Sequence, residues 1–232
     1  MLDLRLAACA RFICPGHKVC DIGTDHAYLP CFLVKNQITR QVIAADVNEK
    51  PLSCARAHIR EQGFSEQIRT LLSDGLSGIR AEEADDIVIA GMGGELIARI
   101  ILSCSWAKDP QKHFILQPMT QADFLRRTLA RHGFSILKEE PVAENGHFYS
   151  VFLCQWTGEA QELDELSALV GKVPQSSSPH RDAYLSFQAD RMERIADGLS
   201  RSQKQNELAE HYRTLAADIR KLLQKPGKDD IL

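Results

Sequence analysis

The sequence predicts an α/β protein: a doubly wound, Rossmann-like sheet closed by a C-terminal antiparallel hairpin, with a helical, coiled-coil-like domain behind it. Three observations predict it. From Lys18 to His132, short apolar runs alternate with longer amphipathic ones, the pattern of βαβ units around a parallel sheet. Two β-rich runs, Phe134 to Glu139 and Phe148 to Trp156, then follow with only a polar segment containing Asn145-Gly146 between them. That is a hairpin signal, and it brings the last strand into the sheet antiparallel. Beyond Gly158 the β pattern disappears, and apolar residues recur at helical steps.

The elements follow in order. Leu2 to Ile13 has helical periodicity and stops at Pro15-Gly16. Lys18 to Gly23 reads as a buried strand with a glycine break, Asp25 to Lys35 as a helix, and Gln41 to Val47 as the second strand. Glu49 to Gln62 is a helix with Gly63 as its stop, and Ile68 to Ser73 is a strand leading into Asp74-Gly75. Asp86 to Ala90 runs as a strand into Gly91-Met92-Gly93-Gly94, followed by a helix from Glu95 to Ser103. A strand from His113 to Pro118 and a helix from Gln121 to His132 complete the alternation. In the C-terminal part, Leu185, Met192, Ile195 and Leu199, then Leu208, Tyr212, Leu215, Ile219 and Leu222 suggest a helical hairpin or antiparallel coiled coil turning near Gly198 to Asn206. Periodicity alone also fits helices that cover a sheet face. The boundary falls at Gly158, giving domains 1–158 and 159–232.

Bulk composition narrows the class. No apolar run approaches the roughly 20 residues of a membrane span, and the N-terminus lacks the basic and apolar regions of a secretory signal. Seven scattered cysteines without a Cys-x-x-Cys pair, and no His/Cys cluster at zinc spacing, fit buried thiols in a reducing cytoplasm and lead us to expect no metal. The net charge of −3 conceals an asymmetry. Residues 166–228 hold eleven Lys/Arg against seven Asp/Glu, a net of +4, which leaves −7 for the remainder. A basic tail can grip a polyanion, although charged helix faces are often only solvated.

The chemistry sits at the strand ends. A doubly wound sheet binds ligands at the carboxyl ends of its strands, where the strand order reverses. Asp21-Ile22-Gly23-Thr24-Asp25 closes the first strand, and Gly23 permits positive φ and close backbone approach. Asp46, followed by Val47, ends the second strand, where a carboxylate can accept both hydroxyls of a ribose. Asp74 and Gly75 end the third strand, placed to meet an adenine ring. Gly91, Met92, Gly93 and Gly94 end the fourth, where small residues let a flat substrate or a methionine moiety lie against the backbone. An isolated strand-end Asp is often only a helix N-cap, but four consecutive ends share the pattern.

The glycine-rich dinucleotide fingerprint is absent, because Asp25 and Ala27 stand where later glycines belong. A carboxylate at that helix start would repel a diphosphate. It would favour S-adenosylmethionine, which carries a sulfonium and an ammonium and no phosphate. No Walker lysine, metal-ligand motif or nucleophile elbow competes.

The decapeptide Asp21 to Pro30, together with Ser73-Asp74-Gly75-Leu76, Ile89-Ala90-Gly91-Met92-Gly93-Gly94 and Leu116-Gln117-Pro118, resembles the bacterial tRNA (adenine-N1)-methyltransferases acting at position 22, the TrmK family. The resemblance runs in order over roughly the first 155 residues, with Met119 at a position that varies. It implies a class I methyltransferase domain followed by a helical domain, S-adenosylmethionine as methyl donor and tRNA as partner. On that reading the adenine N1 lone pair attacks the sulfonium methyl directly, without prior deprotonation. Asp25 is the candidate to accept from the exocyclic amine, with helix capping as its alternative role. Gln117 and Pro118 are candidates to hold the base edge, His26 to orient substrate, and Tyr28 to stack on a base or serve the core. Because N1 lies on the pairing edge, the base must leave its stack. Phosphate contacts are expected from Arg5, Arg11, Arg191, Arg194, Arg201 and Lys204. A monomer or weak dimer is expected. A methyltransferase for a small molecule or protein, and a non-catalytic module that binds S-adenosylmethionine or RNA, remain alternatives; the acidic body favours the first.

Overall fold

The computed structural model describes residues 2–200 and 205–224. Seven strands form one sheet in the order β3-β2-β1-β4-β5-β7-β6. The strands are β1 (Val19–Ile22), β2 (Val42–Asp46), β3 (Ile68–Leu72), β4 (Asp86–Gly93), β5 (His113–Thr120), β6 (Phe134–Glu144) and β7 (His147–Trp156). β1 to β5 are parallel, and β7 slots antiparallel between β5 and β6, as the hairpin signal predicted. Asn145 and Gly146 both have positive φ, 51° and 77°, the backbone a two-residue hairpin turn requires.

Helices cover both faces, so the central strands are apolar on both sides. Cys20, Ile22, Ile87, Ile89, Phe114 and Leu116 pack on α4 (Gly94–Leu102) and α5 (Ala122–Arg131). The intervening residues Val19, Val88 and Ile115 pack with α1 (Leu4–Phe12), α2 (Tyr28–Lys35) and α3 (Glu49–Gln62) on the opposite face. This two-sided burial makes the strands read as continuous apolar runs. The caps match sequence chemistry: the Asp3 side chain accepts from the Leu6 N–H, and Gly63 ends α3 at φ 77°.

One boundary differs with consequence. The helix expected from Asp25 begins at Tyr28, because Ala27 occupies the left-handed region at φ 54°. The loop after β1 is therefore longer than expected, and Asp25 caps no helix.

The C-terminal part comprises α6 (Glu165–Val170), α7 (Arg181–Ser200) and α8 (Asn206–Leu223). Tyr184, Leu185, Ala189 and Met192 bury against Leu215, Ala216 and Ile219 in a core distinct from the two sheet cores. Arg220 meets Asp190 and Glu193 while Arg213 meets Ser200, so α7 and α8 run antiparallel. The hairpin reading holds over the sheet-cover reading, although Phe148 on β7 meets Phe187 on α7 at 5.3 Å. The expected turn includes residues 201–204, and Arg201 and Lys204 lie outside the described residues.

A buried ion pair ties this unit to the sheet. Arg126 on α5 is 1% exposed and bonds Glu139 on β6, the Ala168 and Leu169 carbonyls of α6 (2.6 and 3.0 Å), Ser150 Oγ and Tyr184 Oη. The backbone N–H of Lys172 donates to the second Glu139 oxygen at 2.9 Å. Both charges are thus satisfied, which is the condition for burying them.

Candidate active site

The β1, β2, β3 and β4 ends meet at the switch point of the sheet, where β1 lies between β2 and β4. Ile22 is in register with Ala45 and Ile89, and Asp46 with Leu72. The Gly23 and Thr24 N–H groups both donate to the Ala45 carbonyl, which folds the first loop along β2. Gly23 sits at φ 80°, and a Cβ there would stand 2.2 Å from the Met92 methyl, so Met92 lies directly over the turn. At the β3 end, Ser73 Oγ donates to the Gly75 carbonyl and accepts from the Gly78 N–H, shaping the turn that exposes Asp74.

Two observations at this turn suit a cationic amino-acid group. Asp21 is 7% exposed, and no cationic side chain pairs with it among the described residues. Burial pushes its carboxyl up to about 6, opposed by neighbouring Thr24 and reinforced by the Asp46 charge. The Thr24 hydroxyl is buried and faces that carboxyl without closing a hydrogen bond to any group. A buried carboxylate with the Thr24 hydroxyl facing it at a glycine turn fits the ammonium end of S-adenosylmethionine. Asp46 Oδ1 accepts from the Asn48 N–H, and Val47 beside it is 59% exposed, forming an apolar surface at the same rim.

The loop after Thr24 faces outward. Asp25 is 75% exposed, with its carboxylate 3.5 Å from His26 Nε2. His26 stacks on Tyr28 at 5.2 Å, and Tyr28 meets His58 edge-on at 5.1 Å. His58 Nδ1 donates to the His26 carbonyl at 2.7 Å, fastening the loop to α3. Tyr28 is exposed, so its core reading is discarded. His58 was missed in the sequence because a lone histidine in mid-helix gives no signal.

Other expected site residues are placed differently. Gln117 is fully buried; its Oε1 accepts from the Gly91 N–H and from Arg5 Nη1, and its Nε2 donates to the Pro118 carbonyl. The Gln117 amide oxygen therefore holds the Gly91 loop, while its nitrogen is engaged by the Pro118 carbonyl. Gly91 itself is open, at φ 79° with nothing near its missing Cβ. Gly94 does not face substrate: a Cβ there would lie 2.3 Å from the Gln121 carbonyl, so the glycine serves close packing of α4 on α5. Arg5 is half-buried and bound to Asp3 and Glu144, whereas Arg11 is exposed and meets Glu140. Arg191 and Arg194 are exposed on α7.

A second constellation lies at the opposite end of the sheet. Cys14, His17, Asp86 and His113 bring one donor atom each within 4.8 Å of one another. Sequence spacing did not reveal this group, because the donors come from three distant segments.

Sheet order and strand-end residues define a Rossmann-like methyltransferase, and a family model described as a methyltransferase domain matches residues 2–152. The tRNA (adenine(22)-N(1))-methyltransferase of Bacillus subtilis is 33% identical over 172 residues, covering 74% of this chain and 72% of that protein. The crystal structure of the B. subtilis M1A22 tRNA methyltransferase TrmK superposes with a TM-score of 0.79 at 28% identity, over 97% of each chain. Mycoplasma capricolum TrmK, solved with S-adenosyl-homocysteine, gives 0.80 at 26% identity, over 96% of this chain and 99% of that one. The chain belongs to the family of tRNA (adenine(22)-N1)-methyltransferases.

Proposed function

We propose that this protein transfers the methyl group of S-adenosylmethionine to N1 of adenine 22 in tRNA. The observation that carries the reading is the β1 loop. Within eight residues it joins a buried carboxylate and an unpartnered hydroxyl, Asp21 and Thr24, to an exposed acidic and aromatic rim, Asp25, His26 and Tyr28. S-adenosylmethionine supplies an activated methyl on a sulfonium. Asp21, Gly23 and Thr24 hold its amino-acid end, Asp46 the ribose hydroxyls, and Val47, Asp74 and Gly75 the adenine. Met92 and Gly93 border the donor.

An N1 lone pair lies in the ring plane and is free at neutral pH, so the protein has no proton to remove before attack. Its task is placement in line with the methyl and stabilisation of the charge the ring acquires. The stacked His26 and Tyr28 rings offer a surface for an extruded base, and the Asp25 carboxylate accepts from the exocyclic amine. Gln117 acts on Gly91 by fixing its N–H. Residues 1–158 form the catalytic domain, and 159–232 form a helical domain that meets tRNA phosphates through Arg191 and Arg194. A tRNA substrate supports a cytoplasmic location; separately, no helix among the described residues is long and apolar enough to cross a membrane.

Asp25→Ala tests the reading. Because Asp25 caps no helix and is exposed, its loss is expected to leave the melting temperature unchanged. Methyl transfer to tRNA should fall about 10²-fold, the scale of one lost transition-state contact. Transfer at the wild-type rate would remove Asp25 from the mechanism.

A further inference from the structure

The geometry points to a structural zinc site, built from Cys14, His17, Asp86 and His113 at the amino-terminal edge of the sheet. Asp86 opens β4 and His113 opens β5, in register with each other, and Val19 at the start of β1 is in register with Asp86. Cys14 and His17 lie on the short connection between α1 and β1. This edge is about 20 Å from the Gly91 to Gly93 end of β4, at roughly 3.3 Å per residue.

The donors converge on one carboxylate. His17 Nδ1 lies 2.8 Å and His113 Nδ1 3.2 Å from the same Asp86 oxygen, Oδ1. The two imidazoles are stacked 5.9 Å apart and only 6° from parallel, so both present Nδ1 to that oxygen. The Cys14 sulfur is 3.9 Å from His113 Nδ1. The second oxygen, Asp86 Oδ2, accepts from the Cys14 N–H at 2.7 Å, which fixes both the carboxylate plane and the cysteine. Asp86 is fully buried and has no Lys or Arg partner among the described residues. A buried carboxylate needs compensation, and the side chains within hydrogen-bond reach of it, His17 and His113, are both metal-ligand types.

A four-coordinate zinc ion meets that need. Bonds of about 2.0 to 2.3 Å from S, N and O ligands place tetrahedral donors roughly 3.3 to 3.7 Å apart. The separations of 2.8, 3.2 and 3.9 Å bracket that range and the remaining ones lie within 4.8 Å, so shifts of about an ångström close the tetrahedron. One thiolate, two imidazoles and one carboxylate form a borderline-soft set suited to zinc over magnesium or calcium. On binding, the Cys14 thiol gives its proton to solvent, and each imidazole keeps one proton by carrying it on Nε2. His17, with 36% of its side chain exposed, leaves an entry path. Four protein ligands leave no open position, so the ion is structural: it clamps the α1–β1 connection to β4 and β5.

The test is metal retention by the full chain, after chelator treatment, reloading with Zn²⁺ and exhaustive dialysis. One equivalent per chain is expected, with a melting temperature that rises on loading. Loading with Co²⁺ should give a tetrahedral spectrum with a thiolate-to-cobalt charge-transfer band. Cys14→Ser should abolish that band, and His17→Gln, at a partly exposed ligand, should weaken Zn²⁺ binding at least about tenfold, since even outer-shell losses cost that much. Circular dichroism verifies that each variant is folded; should Cys14→Ser not fold, the wild-type cobalt spectrum and His17→Gln decide. Wild-type protein that retains no zinc, or a charge-transfer band that survives Cys14→Ser in folded protein, would overturn the assignment.

Discussion

Asp21 carries a pH signature of its own. Its carboxyl sits near 6 in the folded protein against about 3.9 in an unfolded chain. With the folded value raised, the stability this group contributes is present below about pH 4 and lost as pH rises through 6. Asp21→Asn should therefore stabilise the ligand-free protein at pH 7.5 by up to about 3 kcal/mol, two pKa units at 1.36 kcal/mol each. The advantage should vanish near pH 4, as urea melts at the two values would show. Cofactor binding runs the opposite way, because the ionised carboxylate is the form that holds an ammonium. Affinity should fall about tenfold per unit below pH 6 in wild type and be weak and flat in Asp21→Asn, measured by calorimetry. Asp21, Asp46 and Gly91 were legible in the sequence because their spacing follows the period of βαβ units. Cys14, His17, Asp86 and His113 were not, since neither their order nor their spacing reveals that three segments end at one sheet edge. Gln117 was legible as a site-end residue, but its bonds to Gly91 and Arg5 depend on packing that spacing cannot encode.

Among the elements, the β7-β6 hairpin and its clamp decide how the two parts of the chain are joined. The hairpin was legible because Asn145-Gly146 supplies two positive-φ residues between β-rich runs. The clamp was hidden: Arg126 reads as an ordinary polar position on an amphipathic helix, and only docking of α6 and Tyr184 buries it. Arg126→Ala leaves the Glu139 carboxylate buried and unpaired and should cost about 3–5 kcal/mol in chemical denaturation. Gly171 belongs to the same junction; it sits at φ 54°, and a Cβ there would stand 2.0 Å from Glu139 Oε2. Gly171→Ala should therefore also destabilise, whereas a substitution at Gly16, equally left-handed but open, meets no such contact. The start of α2 was misread for a local reason. Nothing in Asp25-His26-Ala27 forbids helix, yet Ala27 adopts φ 54° and delays the helix to Tyr28. That delay exposes the segment proposed to meet the base.

At the scale of the molecule, an acidic catalytic body is joined to a helical pair whose positive charge is largely spent internally. Arg213 and Arg220 are paired with Asp197, Glu210, Asp190 and Glu193 across or along the helices. Among the described residues, the basic excess therefore overstates the charge available to RNA, and Arg191 and Arg194 remain as exposed candidates. Arg191→Gln with Arg194→Gln should weaken tRNA binding, reduce the magnitude of its log-log salt slope by about 2, and leave cofactor affinity unchanged. An unchanged slope would place the phosphate contacts elsewhere. The central claim is the identity of the atom that receives the methyl group. The most direct measurement incubates the full chain with methyl-labelled S-adenosylmethionine and a tRNA transcript bearing A22, beside the same transcript with G22, and maps the labelled nucleoside. The expected product is 1-methyladenosine at position 22, with no label in the G22 transcript. Label at another nucleotide, equal label in both transcripts, or transfer to small molecules alone would contradict it.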